Sequence, residues 1–171
     1  NSNICIGTVC RLSKEKGIDN LIKIFSRFKN NFTLIIVGDG PELDNLNKLT
    51  KSFKLEKKIT FVGKAPPEKI KFIIKNFDYF INSSDFEGFP NSVVEAVSSG
   101  IPVIASQSHG GINEIIKNKN FGLIYNNNFE LETILGKILE NKLSFKRNRN
   151  LIDKHLQNFS ENINVKKYSK V

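Results

Sequence analysis

Two pairs of side chains in this chain are spaced for work on a polar, anionic molecule. Glu87 and Glu95 lie eight positions apart, with the turn Gly88-Phe89-Pro90 between them. Asn91 and Ser92 follow that turn, and both residue types favour the N-cap of a helix. A helix that starts there and closes at Gly100, ahead of Pro102, leaves its first-turn N–H groups without intrahelical partners. Those donors, at the positive end of the helix dipole, suit an anion such as a phosphate. Glu95 then stands about one turn into the helix, and Glu87 reaches the same place from the loop. One anion site flanked by two acceptors for hydroxyl groups matches the groups on a sugar nucleotide. The second pair, Arg11 and Lys16, leaves the end of an apolar run. Arg can fork onto phosphate oxygens and Lys can act as a point charge. Each pair taken alone is equally compatible with a solvated loop or a helix face.

Weaker signals surround these pairs. Gly38-Asp39-Gly40 is half of a dinucleotide fingerprint, placed after the second strand instead of the first. It serves as a tight turn and not as a cofactor signature. Asp85-Phe86-Glu87 reads as loop polarity, and no metal is assigned to it. His109-Gly110-Gly111 precedes a short helix, where small residues let backbone approach a ligand.

The chain has 171 residues, enough for one domain with a real core. No apolar run is long enough to span a bilayer, and no signal-peptide pattern is present. The chain begins at Asn1 and contains no Met, so it is expected to be a piece of a longer protein. Cys5 and Cys10 fall in one strand, on opposite faces, which argues against a bridge and fits a reducing cytosol. The net charge is +9. Its lysines are spread over helix faces without an aromatic–basic recognition motif, so nucleic acid is not expected as a partner.

Strand and helix signals alternate. Continuous apolar runs at Ile4–Val9, Phe32–Val37, Lys58–Val62, Phe77–Ile81, Ile101–Ala105 and Phe121–Tyr125 read as strands covered on both faces. Helical stripes occupy Ile18–Phe28, the stretch from Pro41 to Phe53, Pro66–Lys75, the stretch after Asn91, Ile112–Lys117, Phe129–Glu140 and Ser144–Phe159. This predicts a doubly wound parallel α/β fold of six strands, Rossmann-like, with a C-terminal helical segment over 144–171. Ligands of such folds bind at the carboxyl ends of the strands, where the loops holding Arg11, Gly38, Gly63, Glu87 and Gly110 emerge.

The segments GTVCRLSKEKGIDNLI, LIIVGDGPELDNL, ITFVGK, FDYFINSSDFEGFPNSVVEAVSSGIPVIAS and HGGINEII with GLIY, in this order, resemble the C-terminal half of family 4 glycosyltransferases. The resemblance covers roughly residues 4 to 126. It implies the donor-binding domain of a GT-B enzyme that transfers sugar with retention of configuration. The donor would be a nucleoside-diphosphate sugar, with UDP preferred, and no cofactor would be needed. Arg11 and Lys16 match the pyrophosphate contacts, and Val62 and Gly63 match the backbone that holds the base. Glu87 matches the carboxylate on the transferred sugar, and Glu95 the one on the ribose. Phe89, Pro90, Asn91, Ser92 and Val93 match the segment whose amides meet sugar and phosphate. Gly110 and Gly111 match another loop of the donor cleft, and Glu114 a position beside it.

The chain departs from the family pattern at Cys10, where Gly is usual, at Pro90, which has no N–H to offer, and at Asn82-Ser83-Ser84. The acceptor, a glycan or lipid-linked molecule, would bind a preceding domain. The implied location is the cytoplasm, at the inner face of the membrane, with the basic surface touching anionic lipid. Competing readings are a UDP-sugar epimerase on a related fold, which needs acid–base residues not evident here, and a nucleotide-binding module without chemistry.

Overall fold

A computed structural model describes residues 3–29, 31–85, 90–107, 111–116 and 119–145. Among these, the strands are β1 (Ile4–Val9), β2 (Phe32–Val37), β3 (Ile59–Gly63), β4 (Tyr79–Asn82), β5 (Val103–Ser106) and β6 (Gly122–Tyr125). They alternate with α1 (Ile18–Phe25), α2 (Leu43–Ser52), α3 (Pro67–Ile74), α4 (Asn91–Ser98), α5 (Ile112–Ile115) and α6 (Asn128–Leu139). All neighbouring strands are parallel, in the order β3-β2-β1-β4-β5-β6. The order reverses between β1 and β4, which makes their carboxyl ends the switch point of the sheet. β1 aligns with β2 along its whole length, from Ile4↔Phe32 to Val9↔Val37, whereas β1 and β4 align at Ile6↔Tyr79 and Gly7↔Phe80.

Both faces of the sheet are covered, which explains the unbroken apolar runs. On one face Ile6, Leu34, Ile36, Ile81 and Ile104 meet Leu21 and Phe25 of α1 and Leu135 of α6. On the other, Phe80, Val103 and Ala105 meet Ile74 of α3, Val93 and Val97 of α4 and Ile112 of α5. Successive strand residues such as Phe80 and Ile81 enter opposite clusters, as the period of two requires.

The structure corrects several expectations. β1 ends at Val9, so Cys10 lies just past the strand and not in it. The two cysteines are not joined in a disulfide and pack against opposite faces. Pro41 does not open a helix. The Glu42 N–H is drawn to the Leu12 carbonyl (3.0 Å), and α2 begins after it at Leu43. Pro66 and Pro67 do open α3, as its N-cap and first residue. Neither Asn91 nor Ser92 caps α4. Pro90 takes the cap position in a non-helical conformation, and its carbonyl already accepts from the N–H groups of Val93 and Val94 (3.0 and 3.2 Å). Asn91 and Ser92 are therefore the first two residues of the helix proper.

Helix α6 has a side-chain cap, where Asn127 accepts from the Glu130 N–H (2.9 Å) and Glu130 reaches back to the Asn126 N–H (2.8 Å). Ser144 and Phe145 are irregular, and the remainder of the expected last helix lies outside the described residues. So do the site candidates Glu87, Phe89 and Gly110.

Candidate functional site at the carboxyl edge of the sheet

Arg11 is positioned by backbone stitching between two loops. Cys10 N–H donates to the Val37 carbonyl (3.0 Å) and Leu12 N–H to the Asp39 carbonyl (2.9 Å), so the loop after β2 lies flat against the loop after β1. This approach explains the glycines. Gly38 has φ +141°, and a Cβ on it would sit 1.8 Å from the Cys10 carbonyl oxygen. At Gly40 a Cβ would meet the Leu12 carbonyl oxygen at 2.4 Å. Gly38 N–H in turn donates to the Gly63 carbonyl (2.8 Å), which ties in the end of β3. The three loop starts enclose a groove of about 450 Å³ lined by Cys10, Arg11, Gly38, Asp39, Gly40 and Lys64. Asp39 turns its carboxylate onto the Gly40 N–H (2.7 Å). The groove thus combines two exposed cations with close-lying backbone, a combination suited to an anionic ligand. Val62 is half exposed beside it on the edge strand.

Lys16 is held from the other side of the switch point. Lys14–Lys16 forms one 3-10 turn, closed by Gly17 in the left-handed conformation (φ +63°). A Cβ on Gly17 would lie 2.5 Å from the Ser83 carbonyl oxygen, so the loops after β1 and β4 touch through backbone. Ser83 Oγ donates to the Lys16 carbonyl (2.7 Å), and Asp85 N–H donates to the Glu15 carbonyl (2.8 Å). The Ser13 hydroxyl, bonded to Glu15, holds that carboxyl below its usual range. Its own backbone and the Lys16 and Arg11 charges act in the same direction. Both sequence-picked cations therefore stand around one exposed turn.

Glu95 sits on α4, a rigid element fastened by buried Val93, Ala96 and Val97. Partial burial pushes its carboxyl above the usual range, and Lys71 on α3 opposes that shift. Pro90 is buried, Asn91 is exposed, and Ser92 is half-buried. Val93 is fully buried and its N–H is engaged by Pro90, so it anchors the helix start. Gly111 is the N-cap residue of α5, and Glu114 on that helix is exposed.

The structure brings Arg11 together with Gly63 through the Gly38 loop, and Lys16 together with Ser83. Asp39, Lys64 and Ser83 belong to this edge and were not singled out. Their signal was positional: each stands within two residues of a strand's carboxyl end.

A family model described as "Glycosyl transferases group 1" matches residues 2–162. The chain belongs to that family. A group 1 relative, the alpha-monoglucosyldiacylglycerol synthase of Streptococcus pneumoniae, is 30% identical over 138 residues, covering 78% of this chain and 30% of its own length. A solved lipopolysaccharide outer core galactosyltransferase superposes with a TM-score of 0.84 at 24% identity, covering 100% of this chain and 50% of that one. An Anabaena protein solved with UDP-glucose gives a TM-score of 0.77 at 24% identity, covering 96% and 49%. The group 1 chain thus has the Rossmann-like fold of GT-B glycosyltransferases and spans half or less of the length of these three proteins.

Proposed function

We propose that this group 1 domain is the donor-binding part of a family 4 glycosyltransferase that passes a hexosyl or N-acetylhexosaminyl group from a UDP-sugar, with retention, to a glycan or lipid-linked acceptor. The observation that carries the reading is the cationic groove at the carboxyl ends of β1, β2 and β3, lined by Arg11 and Lys64, with Lys16 strapped to the loop after β4 on the other side of β1. The UDP-glucose held by the Anabaena neighbour supports the choice of donor.

In this reading Arg11 and Lys16 stabilise the charge that grows on the departing nucleoside diphosphate, from positions fixed before the reaction starts. The backbone at Val62 and Gly63 holds the base, and Glu95 accepts from the ribose. Glu87 accepts from hydroxyls of the transferred sugar, next to Phe89, Pro90, Asn91, Ser92, Gly110 and Gly111. These groups do the work with no resident cofactor assigned. The acceptor binds a second domain, so the isolated chain transfers little. The enzyme works in the cytoplasm, at the inner face of an anionic membrane.

Thermal-shift titration with UDP, GDP, ADP and their sugar conjugates tests this. A ligand at about a hundred times its Kd stabilises by about 2.7 kcal/mol. Selective stabilisation by UDP compounds is expected, and Lys16→Ala weakens UDP and UDP-sugar alike by roughly tenfold to a hundredfold, as for a lost charge-assisted bond. Equal affinity in the variant would remove Lys16 from the site.

A further inference from the structure

Two phenylalanines stand out in the described surface: Phe72 on α3 is 73% exposed and Phe129 on α6 is 78% exposed. Their surroundings differ in charge. Helix α3 turns Ile70, Ile73 and Ile74 towards α4 and the sheet, which leaves Phe72 on the opposite face. Lys69 and Lys75 stand three positions to either side of it on that outer face, and both are exposed, whereas Lys71 lies towards Glu95 of α4. Glu68 is the one carboxylate of the helix. From Lys64 to Asn76 the sequence carries four Lys against that one Glu. Phe129 instead sits among Asn126, Asn127, Asn128, Glu130, Glu132 and Thr133.

We propose that the outer face of α3 is a peripheral anchor for an anionic lipid surface, with Phe72 entering the headgroup boundary and Lys69 and Lys75 meeting lipid phosphates. An aromatic ring gains from leaving water at that depth, and each flanking Lys keeps its ammonium at the headgroups while its stem lies along the apolar boundary. Attraction to the negative surface adds to this, and salt screens it. Phe129 has the ring and the exposure without the flanking cations, so it serves as the internal control. The inference names the surface for the membrane contact proposed above. Donor binding is read by a different measurement, the UDP thermal shift, and stands or falls separately.

Co-sedimentation of this chain with vesicles of phosphatidylcholine alone and of phosphatidylcholine mixed with phosphatidylglycerol tests the anchor. Binding is expected only to the mixed vesicles, and it weakens as salt is raised. Phe72→Ser lowers the partition coefficient by roughly tenfold. Replacing Lys69 or Lys75 by Gln lowers it by about fivefold each. Phe129→Ser leaves it unchanged. All four positions are exposed, and an unchanged melting temperature confirms that each variant is folded. The inference is overturned if mixed vesicles do not sediment the chain, if Phe72→Ser binds as the parent does, or if Phe129→Ser loses as much.

Discussion

The two sides of the candidate cleft hold their functional groups by different means. Arg11 and Lys16 stand on an irregular loop whose shape comes from backbone hydrogen bonds to the loops after β2 and β4 and from glycines where carbonyl oxygens come too close for a Cβ. Glu95 stands on a regular helix whose place comes from buried Val93, Ala96 and Val97. A cation placed by stitching depends on segments distant in sequence. A carboxylate placed by helix packing depends on its own element and the surface below. The first arrangement is sensitive to a single added methyl group in the wrong place, the second to lost apolar volume.

Substitutions can separate the two. The largest effect is expected from Gly38→Ala, which puts a Cβ on the Cys10 carbonyl at a left-handed φ. A loss of more than about 3 kcal/mol in urea unfolding, or failure to fold, is the expected result. A loss below about 1 kcal/mol would show that the loops can part at little cost. Next comes Val97→Ala on α4, buried to 1% exposure. It should cost roughly 2–3 kcal/mol through lost apolar contact and the cavity left behind. It should leave UDP affinity nearly unchanged if the cations are positioned independently of α4.

Ser83→Ala removes one strap on Lys16 and is expected to cost about 1 kcal/mol. Because the hydroxyl acts through the Lys16 backbone, UDP affinity should fall by several-fold while Ser83→Thr restores it; equal affinity in all three proteins would limit Ser83 to a structural role.

The smallest effect is a pH dependence. The Glu95 carboxyl is raised by burial, so the folded state holds its proton more tightly than the unfolded chain does. Its contribution to stability is present below the ordinary carboxylate pKa and is lost as pH rises through the raised value. Glu95→Gln should therefore melt slightly higher than the parent at about pH 7, a difference that fades below about pH 4. A difference of constant size across that range would mean that burial does not govern this carboxyl.

The six strands were readable because most are short apolar runs that must be covered on both faces, and a run such as FTLIIV offers no other use. The start of α4 was misread. Propensity favours Asn and Ser as caps, but Pro90 already fixes the turn, and its carbonyl receives the first-turn N–H groups. Gly38 and Gly40 were read as a local turn, because their need for glycine comes from the Cys10–Leu12 backbone, which is close in space and distant in sequence. Lys64 was missed for the same reason: one Lys among many becomes a groove residue only once three loop starts converge. The place of Arg11 and Lys16 at the carboxyl edge of the sheet was legible because both stand on the loop that leaves the first strand.

The seam at the switch point also bears on how the chain folds. β1 can pair along all of β2 once the crossover through α1 is made, whereas its other edge waits for β4, more than seventy residues on, and is then matched over two positions. Long-range pairing of this kind forms late, and a short seam is where cooperative units part most easily. The β1–β3 and β4–β6 portions are thus expected to be separate folding units, and the contacts that hold the Lys14–Lys16 turn lie on the line along which they close. The straps from Ser83 and Asp85 cross that seam, so the Asp85 amide is expected to exchange its hydrogen ahead of the β1–β2 ladder.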